Sequence, residues 1–99
     1  MIYAVKWSVT GREDVRRLYA YLLDRDEQTA VHAYEAIAKA VTFLERFPFS
    51  CRKARGGDPF LRELVVPFGS SGYVALFRVD DGGTVTIAAI RHQREDDYH

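Results

Sequence analysis

The chain has 99 residues, 14 basic and 14 acidic, so it is electrically neutral and long enough for one domain, residues 1–99, with a modest core. Neutrality excludes the whole-molecule positive field that gathers nucleic acid, and each half (1–49 and 50–99) is balanced by itself, with seven charges of either sign. No apolar run nears the ~18–20 residues that span a bilayer, no secretory leader is visible at Met1-Ile2-Tyr3-Ala4-Val5-Lys6-Trp7, and the single cysteine, Cys51, excludes an internal disulfide or a cysteine-based zinc site, so a cytoplasmic protein without membrane contact is expected.

Residues 2–7 carry Ile2, Tyr3, Val5 and Trp7 and predict a short first strand. Thr10-Gly11-Arg12-Glu13 fits a capping box, and Val15, Leu18, Tyr19 and Leu22 then recur at helical spacing, so a first helix is expected from Thr10 to about Leu23, with Arg12, Arg16 and Arg17 off its apolar face. Asp26 is a good N-cap for a second helix, whose stripe is Ala30, Tyr34, Ile37, Val41 and Leu44 and which Pro48 ends near Arg46 or Phe47. The connection is about three residues, which makes the two helices an antiparallel hairpin.

Residues 48–59, punctuated by Pro48, Gly56, Gly57 and Pro59, read as a loop with one short extended piece. Three strands follow, at Phe60 to Phe68, Tyr73 to Val79 and Thr84 to Arg91, joined by turns at Gly69-Ser70-Ser71-Gly72 and Asp80-Asp81-Gly82-Gly83. Strand 73–79 is apolar on both faces, which suits a central strand covered on both sides. The order β-α-α-β-β-β gives an α+β domain: an antiparallel sheet with an N-terminal helical hairpin packed on one face.

Little in the chain reads as chemistry. His32, His92 and His99 lack metal-ligand spacing, so no metal and no cofactor are expected, and the acid pairs Asp80-Asp81 and Asp96-Asp97 read as turn and tail residues. Cys51 lies in a basic loop where Arg52 and Lys53 could favour its thiolate, but the sequence places no His near it, so it is not expected to be a nucleophile. One constellation fits a reaction. Metal-free RNA cleavage by 2′-hydroxyl attack needs a proton acceptor, a proton donor and cations for the phosphorane, and Arg62, Arg78, Arg91, His92, Arg94 and Tyr98, gathered on the sheet half of the chain, have the right types. The competing reading is arginines on the solvent side of a sheet, paired with Glu63, Glu95 and Asp96. A second signal is surplus apolar surface: Tyr21, Leu23 and Phe43 lie off the main helical stripes, as in a partner-binding groove.

Val5-Lys6-Trp7-Ser8, the two-helix segment, the run Arg62-Glu63-Leu64-Val65-Val66-Pro67-Phe68-Gly69-Ser70-Ser71-Gly72-Tyr73-Val74 and the closing Ile90-Arg91-His92-Gln93-Arg94-Glu95 resemble the ParE branch of the RelE/ParE toxin superfamily. The resemblance implies the RelE/ParE-like fold and a plasmid-stabilisation toxin of a type II toxin–antitoxin module. It implies action on DNA gyrase, and neutralisation by a ParD-like antitoxin in a toxin–antitoxin hetero-oligomer. The antitoxin is expected on Val15, Leu18, Tyr19, Tyr21, Leu22, Leu23, Tyr34 and Phe43, and the target on Arg91, His92, Arg94 and Tyr98. Two alternatives stay open: a ribosome-dependent mRNA endonuclease of the RelE type using Arg62, Arg91, His92 and Tyr98, and a non-toxic module that only binds an antitoxin.

Overall fold

The structure is a computed structural model and describes residues 1–95. Its elements are β1 (Ala4–Trp7), α1 (Val9–Leu23), α2 (Glu27–Leu44), a 3-10 turn (Pro48–Ser50), β2 (Arg52–Lys53), β3 (Leu61–Phe68), β4 (Ser71–Asp80) and β5 (Thr84–His92). They form a five-stranded sheet in the order β1-β5-β4-β3-β2, with α1 over β5 and α2 over β3. The α+β class and the hairpin on one face match the sequence reading.

The sheet is mixed rather than wholly antiparallel. β2 to β5 pair antiparallel in series, but β1 pairs parallel with β5, from Ala4 opposite Thr84 to Trp7 opposite Ile87. A contact some 80 residues apart leaves no local pattern, whereas hairpin turns do. β2 is the extended piece expected in the 48–59 loop, and its two residues pair with Glu63 and Arg62.

Helix α1 starts earlier than the capping box suggested. Ser8 is its N-cap: its hydroxyl accepts from the Gly11 amide at 2.9 Å, so Thr10 and Glu13 lie inside the helix. Asp26 caps α2 as read, accepting from the Gln28 amide at 3.3 Å and the Thr29 hydroxyl at 2.6 Å. α2 ends at Leu44, and Pro48 opens the 3-10 turn three residues after its C-cap, Glu45. The β3–β4 turn is tighter than the four residues expected: Phe68 pairs with Ser71, which leaves Gly69 and Ser70 as the loop. Gly69 has φ of +62°, a conformation that costs a glycine nothing.

Strand β4 is central, as its apolar run suggested. Tyr73, Ala75, Phe77 and Val79 face the helices and join Leu18, Ile37, Leu44, Ile87 and Ile90 in the core. Among the described residues no second layer covers the other face. Val74 is buried there, flanked in register by Val65 and Arg91.

A bulge in β5 fixes how α1 meets the sheet. Leu76 pairs with Ala89 but Phe77 with Ile87, so Ala88 is the extra residue. β1 has ended by then, and α1 supplies partners for the exposed edge instead. The Ser8 hydroxyl donates to the Ala88 carbonyl at 2.9 Å, and buried Asp14 accepts from the Ile90 amide at 2.9 Å. Helix and strand are so close here that a Cβ on Gly11 would come within 2.7 Å of the Ile87 carbonyl.

Candidate functional site

Leu18 must leave the set expected at a partner surface. It is buried in the core between α1 and the sheet, and only its edge reaches the hollow that Tyr21 and Leu22 line. The remaining seven residues do not form one face. Val15, Tyr19 and Tyr34 line a groove between α1 and α2, with the rings of Tyr19 and Tyr34 edge to face at 6.3 Å. The groove continues past Ile37 and Val41 to Trp7. Each of the two adjoining hollows holds about 380–390 Å³, and their walls are mostly apolar. Sequence reasoning missed Val31, whose exposed side chain closes one end, and Arg12 and Arg16, which border the groove rather than pointing away from it.

Leu22 is half-buried against the core, and Tyr21 is exposed beneath the Arg25 guanidinium, which lies 3.7 Å from its ring centroid. Both line a different hollow, of about 560 Å³, at the end of α1 beside the β3–β4 turn. Leu23 is exposed at the last turn of α1. Phe43 lies against Phe47 at 5.5 Å and borders a third groove, between α2 and β3.

Of the residues named for the RNA-cleaving alternative, the described ones, Arg62, Arg91 and His92, are not brought together. Arg62 serves the loop that precedes it: its guanidinium donates to the carbonyls of Pro59 at 2.8 Å, Phe49 at 3.2 Å and Cys51 at 2.7 Å, and stacks over the Phe49 ring at 5.1 Å. Arg91 and His92 are consecutive on β5, so they point to opposite faces of the sheet. Arg91 curls over the turn after β5, donating to the Glu95 carbonyl at 2.8 Å. Tyr98 lies outside the described residues, as do Asp96, Asp97 and His99.

His92 packs edge-on against Tyr73 at 5.6 Å and enters the 560 Å³ hollow with Arg17, Arg94 and Ser71. Its Nδ1 accepts from the Arg94 amide at 3.1 Å, which places the proton of the neutral ring on Nε2, and that nitrogen faces the Ser71 hydroxyl at 3.1 Å. In this tautomer His92 donates to Ser71, and its lone pair is already engaged by the backbone. The pair is therefore set as a hydrogen-bonded clasp across the sheet end, not as a base activating a serine.

Cys51 is buried, and burial pushes its thiol up from the ordinary range despite the counteracting charge of Arg62, so the neutral thiol dominates. Arg52 is spent on Glu63 at 3.0 Å.

The sequence model for the ParE toxin of type II toxin–antitoxin systems, parDE, matches residues 5–97. Two curated relatives come from Caulobacter vibrioides. Toxin RelE1 is 32% identical over 95 residues, covering 96% of this chain and 98% of the relative. Toxin RelE3 is 33% identical over 93 residues, covering 93% and 96%. Among solved structures, a chain of the chromosomal ParDE system from P. aeruginosa superimposes with a TM-score of 0.73 at 21% identity, over 92% of this chain and 96% of that one. A chain of the RelBE2 toxin–antitoxin complex from Mycobacterium tuberculosis gives 0.63 at 23% identity, over 94% and 100%. These two likenesses are of fold. No helix among the described residues is long and apolar enough to cross a membrane.

Proposed function

The chain belongs to the ParE toxin family of type II toxin–antitoxin systems, within the RelE/ParE superfamily, and from that premise we propose that it arrests growth by binding DNA gyrase in the cytoplasm until a ParD-like antitoxin covers its helical hairpin. What supports the gyrase reading is the separation of the described members of the cleavage set, Arg62, Arg91 and His92. Arg62 is tied to three backbone carbonyls, Arg91 and His92 face opposite ways, and the His92 lone pair is engaged by the Arg94 amide. A toxin that poisons by binding needs no such set. The open apolar groove between α1 and α2 supports an antitoxin that folds on docking, since a surface of this kind is stabilised by a second chain.

Purified gyrase with relaxed plasmid is the direct test. Added toxin should stop supercoiling and accumulate cleaved plasmid, and prior addition of antitoxin should restore activity. Full supercoiling with no cleaved plasmid at saturating toxin rejects the gyrase reading.

The names of the two curated relatives favour a second reading, a ribosome-dependent mRNA endonuclease. Its mark is cuts inside codons of translated messages, mapped by primer extension and lost in Arg91→Ala or His92→Ala. Growth without arrest on induction, with antitoxin binding intact, points instead to a module that only pairs with its antitoxin.

A further inference from the structure

Arg12 and Arg16 stand along one wall of the groove between α1 and α2, exposed and about 6 Å apart along the helix axis. Among the described residues neither guanidinium meets a carboxylate, whereas neighbouring Arg17 has Asp14 at 3.9 Å and Glu95 at 3.4 Å. The position of Arg12 also works against the free helix: it stands in the first turn of α1, at the positive end of the dipole, and that turn carries no acid to offset it, while Arg16 is the central residue of the helix. The opposite wall is apolar: Val31, Tyr34, Ile37 and Val41 run about 15 Å along α2. That length matches nearly three turns of a docked helix.

We propose that the groove takes an amphipathic helix of the antitoxin carrying two carboxylates one turn apart on the edge that meets α1, and that Arg12 and Arg16 read this pair and so separate the cognate antitoxin from others. The inference rests on the antitoxin reading above and adds the charge code to it. Helix side chains form both walls of the groove, so its shape favours a helix over an added strand. Apolar contact supplies the buried area. The rim charges act on encounter rate and discrimination, because an antitoxin with lysines at those two places meets like charge.

The probe is the purified antitoxin encoded beside this chain, with binding kinetics followed by surface plasmon resonance at about 50 mM and about 500 mM NaCl. Arg12→Glu/Arg16→Glu is compared with Arg12→Gln/Arg16→Gln and with Tyr34→Asp, each checked by circular dichroism. In the reversed pair the acid at position 12 stands where the helix dipole favours it, and circular dichroism checks that the fold is kept. It should weaken binding roughly 30-fold or more at the lower salt, mostly through slower association, with the loss shrinking at the higher salt. The glutamine pair should lose about three- to tenfold, and Tyr34→Asp should weaken binding at both salts. Binding of the reversed pair within about twofold of wild type, while Tyr34→Asp is impaired, overturns the charge code and leaves the antitoxin reading standing. Wild-type affinity in all three variants overturns the groove as the docking site. An antitoxin that does not bind the wild-type chain overturns the antitoxin reading and this inference with it.

Discussion

Arg62 shows how one residue type serves two opposed readings. A cation on a strand beside a basic loop suits phosphate chemistry, but this guanidinium fastens Phe49, Cys51 and Pro59 to β3. Arg62→Ala should therefore cost about 1–3 kcal/mol of stability in urea unfolding, yet leave gyrase inhibition intact below the transition. Loss of inhibition at unchanged stability would return Arg62 to the active residues. Asp26 gives a pH-dependent counterpart. Hydrogen bonds from the Thr29 hydroxyl and the Gln28 amide hold its carboxyl below the ordinary value of 3.8. A depressed folded value means that the stabilising effect is complete above the unfolded value and fades as pH falls through the folded one. The Tm of Asp26→Ala should lie below that of the wild type at neutral pH, and the gap should close in acid below 3.8. A gap that persists unchanged at the lowest pH would separate the cap from its charge. Asp26 was legible because a cap before a helical stripe is a local signal. Asp14 was not: only the bulge at Ala88, which no short motif announces, turns a helical aspartate into the partner of the Ile90 amide.

At the level of elements, α1 is placed by closeness rather than by bulk. Gly→Ala inside a helix ordinarily gains about 1 kcal/mol. At Gly11 the added methyl meets the Ile87 carbonyl, a backbone atom that cannot swing aside. Gly11→Ala should thus destabilise the chain, by about 1–3 kcal/mol in chemical denaturation, and a gain would show that α1 lifts off β5 at little cost. The elements themselves were readable from periodicity and turns, because helices, hairpins and the β4 run are written over neighbouring residues. What escaped were relations between distant ones: the parallel pairing of β1 with β5, the Ser8 cap set by where β1 leaves the sheet, and which side of each helix the sheet occupies. That last point moved Leu18 into the core and brought Arg12 and Arg16 to the groove. The alternation of faces along β5 separates Arg91 from His92 and follows from a period of two, so this part of the candidate site was within reach of the sequence.

For the molecule as a whole, an exposed apolar groove raises the question of what keeps toxin chains apart before an antitoxin arrives. If two copies met groove to groove about a twofold axis running across the groove, the pair Arg12 and Arg16 of one would approach the same pair of the other, and like charges would push the copies apart. In that arrangement the unneutralised arginines would oppose self-association. Salt affects the two encounters oppositely, weakening attraction to an acidic helix while relaxing repulsion between copies. Sedimentation of the isolated chain should show monomer at low ionic strength and growing dimer as salt rises, with Arg12→Gln/Arg16→Gln dimerising already at low salt. Monomer under every one of these conditions would mean that the groove is too shallow to hold its own kind, charged or not.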